Sequence, residues 1–302
     1  MNKLFVLLLV MLSVLSIFAQ QDAQFSQNMF NKLANNPGFA GSRGLIATSV
    51  LHRSQWMGFE GAPSTQNFSI DAEVPFLNGG VGLNIVKDKI AEFNNLGLQA
   101  SYAYRTQLGV GQIGMGISVG MFQSGLNGAE FKAAQSGDDA IPTSDVKGSK
   151  LDLGAGVYFN SQDIYIGLSS AHMTEPKIEW NDGQNFTLSR HYFLIAGYYY
   201  ELNSTLSLNP SIYFKADGAT SQMDINTNLI YNDKMWGGLS YRLDEGLIVL
   251  AGLDINEDLR LGLGYDIAIS SPMGNSIEVM LGYNFKLKMN KAISKYKNPR
   301  FL

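Results

Sequence analysis

The sequence predicts an all-β protein, a transmembrane antiparallel β-barrel of about 14 strands with an N-terminal luminal, plug-like segment. Three observations carry that expectation. Apolar side chains fall on every second position in runs of about ten residues, the length of a strand that crosses a bilayer once. The clearest run sets Leu259, Leu261, Leu263, Tyr265 and Ile267 against Arg260, Gly262, Gly264, Asp266 and Ala268, and a strand sends those two sets to opposite faces. Charged residues make up only 16% of the 302, against about 25% in ordinary soluble domains. The third observation is the N-terminus, where Met1-Asn2-Lys3 is a short basic start, Leu4 to Phe18 an apolar core and Ala19 a small residue at a cleavage point. Residues 1–19 therefore read as a secretory signal peptide.

The apolar part of that signal is shorter than the roughly 20 residues a spanning helix needs. Past residue 20 no stretch of 18 apolar residues occurs, which leaves a closed barrel as the way to span lipid. The chain has no cysteine, so disulfides, thiolate catalysis and a lipidated cysteine are excluded.

Residues 20–43 are polar and lack alternation. Barrels of about 8 strands fill themselves with side chains and those of 16–18 leave channels, so a barrel between these sizes needs an occupant to be sealed. This segment is the candidate, with Pro37, Gly38 and Gly41 making a turn-rich link before the first strand. The barrel is expected over 44–285. Its strands are runs of alternation bounded by Gly, Asn, Asp, Ser and Pro clusters. The first two, 44–55 and 65–74, are parted by Gly58, Gly61 and Pro63; 80–86, 95–105 and 111–122 follow. Next come 150–160 and 163–170, separated by Ser161-Gln162, then 190–201 and 206–217, separated by residues 202–205. The last five are 222–231, 235–241, 246–255, 259–267 and 276–285, with breaks at Asn232 and Asn256 among them.

Connections after even-numbered strands are brief, and the two longest insertions, 123–149 and 171–189, follow odd-numbered strands. Outer-membrane barrels keep short turns in the periplasm and long loops outside. Both mature termini are thus expected in the periplasm of an outer-membrane protein. Tyr102, Tyr104, Tyr198, Tyr200, Tyr283 and Phe285 lie near strand ends on the apolar face, where amphipathic rings favour the lipid–water interface. The opposite face carries Gln112, Gly114, Gly116, Ser118 and Gly120 on one strand, Asp152, Gly154 and Gly156 on another, and Gln222, Asp224, Asn226 and Asn228 on a third. Glycine there widens a lumen or admits closely packed backbone.

Catalysis has little to work with. The histidines are His52, His172 and His191, none in a metal-ligand spacing. The last two flank a long loop, where histidines are expected to be solvated; an acid/base site of His191 with Glu175 or Asp182 is the catalytic arrangement weighed and set aside. Gly109-Val110-Gly111-Gln112-Ile113-Gly114 matches a dinucleotide fingerprint as a string but opens a strand, without the helix that motif needs. Asp138-Asp139 and Asn181-Asp182-Gly183 lack the ligand series of a calcium loop. No enzyme, metal, cofactor or nucleic-acid partner is expected.

Charge is more telling. Residues 286–302 hold six basic residues and no acid; without those six and Lys3, 15 basic residues stand against 26 acidic ones, a charge of −11. A basic periplasmic tail, ending in Asn298-Pro299-Arg300-Phe301-Leu302, thus follows an acidic barrel. Its cations suit anionic lipid, solubility or a periplasmic partner.

The start Gln21-Asp22-Ala23-Gln24-Phe25-Ser26-Gln27-Asn28-Met29-Phe30 with Asn36-Pro37-Gly38-Phe39-Ala40-Gly41-Ser42, the block from Arg53 through Trp56, Gly58, Gly61 and Pro63 to Gln66, and the ending Asn298-Pro299-Arg300-Phe301-Leu302 together resemble the PorP/SprF family of type IX secretion proteins of Bacteroidota. Ala23 departs from that pattern, where proline is more usual. The resemblance implies a non-enzymatic outer-membrane component that supports secretion or surface attachment of a partner such as a gliding adhesin. The contacts it implies are Phe25, Asn36, Pro37, Gly41, Arg53, Trp56, Gly58, Gly61, Pro63, Asn298, Pro299 and Arg300. The residues themselves suggest that Arg53 pairs with a carboxylate such as Glu60 or stacks on Trp56, in a loop shaped by Gly58, Gly61 and Pro63. The external loops would receive the secreted protein, the tail periplasmic secretion components, and the apolar face outer-membrane lipid. The alternative is a passive or substrate-specific channel for small molecules.

Overall fold

The structure is a computed structural model, and it describes residues 22–128, 144–269 and 274–285. The signal segment, Asp138-Asp139, most of the 123–149 insertion and the tail lie outside the described residues. The strands are β1 (Ile46–Ser54), β2 (Ser64–Val74), β3 (Gly79–Ile90), β4 (Phe93–Leu108), β5 (Gly111–Leu126), β6 (Val146–Asn160), β7 (Ile164–Ala171), β8 (Lys177–Glu179), β9 (Asn185–Thr187), β10 (His191–Tyr198), β11 (Tyr200–Asn203), β12 (Leu206–Ala216), β13 (Ser221–Tyr231), β14 (Met235–Arg242), β15 (Gly246–Asp254), β16 (Leu259–Ala268) and β17 (Ser276–Phe285).

All but β8 and β9 form one antiparallel sheet. β10 and β11 are two halves of one stave, broken at Tyr199, so the barrel has 14 staves, the expected number. It closes where β1 pairs with β17, from Ile46 opposite Phe285 to Ser54 opposite Ile277. Closure leaves the sheet without a first or last strand to act as a free edge, the condition for crossing lipid with strands. β8 and β9 make a separate hairpin in the connection from β7 to β10.

Alternation sorts the faces as expected. Leu261, Leu263, Tyr265 and Ile267 are exposed on the outside, while Gly262, Gly264 and Asp266 face inward. Exposed Tyr104, Tyr198, Tyr200, Tyr231, Tyr283 and Phe285 ring one end of the wall, and Tyr192 and Tyr241 stand toward the other. The end with short turns joins strands through 75–78, 109–110, 161–163, 204–205, 232–234 and 255–258; the opposite end carries the long connections 55–63, 127–145 and 172–190.

The main difference from the sequence reading is strand length. Ladder pairing runs to Leu126 opposite Val146 and to Lys89 opposite Ser64, so residues 123–126 and 146–149 belong to β5 and β6 and not to a loop. Lys87, Asp88 and Lys89 in β3 and Gln123 to Gly125 in β5 are polar on both faces. Above the lipid both faces meet water, so alternation in hydropathy stops while hydrogen bonding continues.

Residues 22–45 run along the inner side of the wall from the long-loop end to the short-turn end, with short 3-10 turns at Lys32–Ala34 and Pro37–Phe39. Contrary to the expectation that both mature termini share the short-turn end, the described residues thus begin at Asp22 at the long-loop end, beside His172, and finish at Phe285 at the short-turn end, because the segment threads the barrel before β1 rises. Three apolar clusters fasten them. Phe25 packs with Leu51 and Met280; Met29 with Trp236, Ile248 and Leu250; Leu33 and Phe39 with Tyr158, Tyr165, Phe193 and Ile195. Of the glycines expected to admit close backbone, Gly114 and Gly116 receive the segment's turn, Gly156 meets a side chain of it, and Gly120 and Gly154 meet only the wall; Gly80, not singled out by the sequence, also admits the segment. A Cβ on Gly116 would collide with Pro37 and the Gly38 amide, one on Gly80 with Ala40 and Gly41, and one on Gly156 with the Asn36 carboxamide.

Candidate functional site

The segment's first turn lies in a buried ionic cluster on the inner wall. β1 alternation turns Ala47, Ser49, Leu51 and Arg53 inward, with Arg53 1% exposed. Its Nη2 donates to Asp266 Oδ2 at 2.7 Å and its Nη1 to Ser26 Oγ at 2.6 Å. Ser26 Oγ in turn donates to Asp266 Oδ1 at 2.7 Å, so the hydroxyl relays between cation and carboxylate. Glu278, opposite Arg53 in the closing strand pair, accepts the backbone amides of Ser26 and Gln27, each at 2.8 Å. Arg242 grips Asp224 with two nitrogens at 3.0 Å and reaches Asp266 with a third at 3.0 Å. Two guanidinium groups thus meet three carboxylates, and the segment's backbone supplies donors that offset the excess negative charge.

The expected pairing of Arg53 with Glu60 or Trp56 does not form: Arg53 points into the barrel while Glu60 is exposed in the loop above. Strand register, unreadable locally, brings Glu278 to Arg53 across the closure. Trp56 has a positive φ of 51° and its amide donates to Ser276 Oγ at 3.1 Å. Gly58 and Gly61 have φ of 90° and 76°, backbone that glycine adopts without a Cβ penalty. Pro63 accepts the Gln55 amide at 2.9 Å, and the Met57 amide reaches Asn275 O at 2.7 Å, so this block is a rim corner pinned to the connection before β17.

The other implied residues lie along the lumen. Phe25 is buried and its carbonyl accepts from Arg242 at 3.4 Å. Asn36 donates to Val157 O at 3.0 Å and accepts from Gly38 N at 2.8 Å, holding the turn that begins at Pro37. Gly41, at φ 71°, donates to Asp71 Oδ2 at 3.0 Å, and Arg43 pairs with the other oxygen of that carboxylate. Asn298, Pro299 and Arg300 lie outside the described residues.

A second cluster stands at the long-loop end. His172 and His191, expected to be solvated, are 4% and 1% exposed, because β7 and β10 pair up to Ala171 opposite His191 and both rings turn inward. His172 Nε2 lies 2.8 Å from Asp22 Oδ1, and its Nδ1 is 3.0 Å from Asp152 Oδ1. Burial works against an imidazolium there, yet the Asp22 and Asp152 carboxylates raise the His172 pKa to about 10. His191 Nδ1 lies 3.0 Å from Ser189 O, and its Nε2 accepts the Asp22 amide at 3.2 Å. Sequence spacing did not reveal this pair. The usable signal was that each histidine ends one of two neighbouring staves. The weighed partners of His191 are engaged elsewhere: Glu175 with Arg190 at 3.8 Å, and Asp182 with the Gln184 amide at 3.0 Å.

Among solved structures, the chain is similar to the toluene transporter TbuX of Ralstonia pickettii, at 12% identity and TM-score 0.48, covering 82% of this chain and 91% of that one. It is also similar to the toluene transporter TodX of Pseudomonas putida, at 10% identity and TM-score 0.45 over 86% and 93%. The translocator domain of the autotransporter NalP from Neisseria meningitidis shares 15% identity at TM-score 0.41 over 80% and 88%. No curated protein matches the chain. The family model described as "Type IX secretion system membrane protein PorP/SprF" matches residues 17–283, nearly the whole barrel and the segment before it, and the chain belongs to that family, as an outer-membrane β-barrel of the type IX secretion system.

Proposed function

We propose that this barrel is a non-catalytic docking component of the secretion system, which supports export or surface attachment of a secreted partner, such as an adhesin, at its long-loop end. In this reading residues 1–19 are removed, 20–43 plug the barrel 44–285, the long-loop end faces outward, and the basic tail 286–302 meets periplasmic secretion components. The observation that supports it best is a segment bonded to the inner wall at Asp266, Glu278, Asp224, Asn67, Val157 and Asp71. In this reading the segment fills the lumen and leaves little continuous path for a solute. A wall so engaged suits holding a protein at the rim better than passing small molecules. The rim corner from Trp56 to Pro63 and the connection leading into the β8–β9 hairpin offer exposed Met57, Phe59 and Met173 to such a partner.

The test is affinity purification of the tagged barrel from native membranes, followed by mass spectrometry. Enrichment of one large secreted protein, lost when residues 172–190 are replaced by a short turn, is the expected result. Recovery of bulk porins alone, together with steady ion conductance by the intact barrel in planar bilayers, would overturn the reading in favour of a channel.

A further inference from the structure

We propose that Asp22, His172 and His191 form a binding site for one divalent transition-metal ion of the zinc class, which ties the luminal segment to the barrel rim. The carboxylate oxygen and one nitrogen from each ring lie within 4.8 Å of one another. Two imidazoles and a carboxylate are a borderline N/O donor set that suits Zn²⁺, which would displace the proton from a charged ring as it binds, and leave a fourth position for water.

The surroundings are built as supports for ligands. Metal-bound histidines characteristically engage their second nitrogen with a carboxylate or a backbone carbonyl, which fixes the ring and its tautomer. Both do so here. His191 Nδ1 faces Ser189 O at 3.0 Å, which leaves the Nε2 lone pair toward Asp22, where it accepts the Asp22 amide at 3.2 Å, a bond that a bound ion would replace. His172 Nδ1 faces Asp152 Oδ1 at 3.0 Å, and Gln99 Nε2 holds the other oxygen of that carboxylate at 2.9 Å. Lys215 Nζ donates to the Asp22 backbone carbonyl at 3.0 Å, so it positions Asp22 while leaving the side-chain oxygen to the rings.

Backbone geometry is a separate indication. His172 has a φ of 52°, in the left-handed region that a residue with a Cβ enters only at an energetic cost. The chain takes that turn immediately after β7, and it swings the ring inward against Asp22 and Asp152. The cluster borders a cavity of about 90 Å³ lined by Asp88, Asn95 and Gln99, with room for a bound water. The three ligands come from the luminal segment, the end of one stave and the start of its neighbour. An ion held by all three cross-links elements that otherwise share no covalent tie beyond the chain.

The experiment uses the mature full-length barrel extracted from membranes into detergent, stripped with a chelator and titrated with Zn²⁺ alone by calorimetry. Metal content is measured after dialysis, and Co²⁺ is added separately to read its visible absorption. About one ion per chain is expected, with strong tetrahedral Co²⁺ bands. His172→Gln, His191→Gln and Asp22→Asn should each weaken Zn²⁺ binding at least about 100-fold, and Asp152→Asn about 10–100-fold. His52→Gln, on the outer face, should change nothing. Folding of each variant is checked by heat-modifiable mobility; Asp22→Asn alters no stave and keeps the test valid if a histidine variant misfolds. Wild-type uptake no greater than that of Asp22→Asn, or uptake abolished by His52→Gln, overturns the proposal.

Discussion

Replacing Arg53 by alanine tests whether the luminal segment is held by charge at its first turn. The guanidinium is bonded to Asp266 and Ser26 and lies 3.6 Å from Glu278, with all four groups buried. Without it, Glu278 loses its cation and Arg242 alone is left for Asp224 and Asp266, so among these buried groups an excess of one negative charge becomes an excess of two. Removing one partner of a buried ion pair costs about 3–5 kcal/mol, most of it from the charge left behind. Water entering from the rim solvates part of that charge, which places the expected loss near the lower end, about 3 kcal/mol. At about 1.4 kcal/mol per tenfold, the open population of the segment should rise by roughly two orders of magnitude.

The barrel wall should survive, because its ladders do not pass through this side chain. The assay is therefore local: protease accessibility within 22–45 in detergent, alongside single-channel conductance in planar bilayers. Faster cleavage and intermittent openings in Arg53→Ala, with an unchanged β-sheet circular dichroism spectrum, are expected. Arg53→Lys should recover part of the protection, since it restores charge but not the fork that spans Ser26 and Asp266. Cleavage rates and conductance equal to wild type in Arg53→Ala would refute the reasoning, because the segment would then be held without this cluster.

Gly116→Leu drives a side chain into Pro37 and Gly38, where rigid backbone cannot yield; protection of 22–45 should fall while outer-membrane insertion persists, read by protease digestion of whole cells and isolated membranes. Leu263→Arg, on the lipid face at mid-strand, should destabilise the barrel by about 2–4 kcal/mol, and Leu259→Arg at the strand end by about 0–1 kcal/mol, measured by denaturant unfolding in lipid vesicles. Equal costs at the two positions would contradict the assigned outer face. Deleting residues 22–43 should leave an assembled barrel with steady conductance; a closed one would show that the segment does not block the lumen. Removing residues 291–302 should reduce recovery of periplasmic secretion components in the affinity purification, and unchanged recovery would remove the docking role of the tail.

The staves were legible because lipid imposes a rule on every second side chain: Leu261, Leu263 and Tyr265 are apolar since they meet hydrocarbon, whatever their neighbours in sequence. Inside the barrel no such rule operates. Gly114, Gly116 and Gly156 announced close backbone approach, and Pro37, Gly38 and Asn36 supply it, yet nothing local says which glycine meets which turn. The same limit hid the partner of Arg53. Glu60 is seven residues away and Glu278 is opposite in register across the closing strands, a relation visible only once β1 is known to pair with β17. His172 and His191 mark where inference from topology could have gone further. In an antiparallel pair, the residues that bracket a long connection end side by side, so two histidines bracketing 173–190 are neighbours even though the spacing resembles no metal motif. Asp22 completes the group because the segment enters the lumen from that same end. A barrel therefore hides its polar sites from a linear reading in a regular way: it gathers them where stave ends, loop bases and the threaded segment converge, and the Asp22–His172–His191 cluster stands at such a convergence.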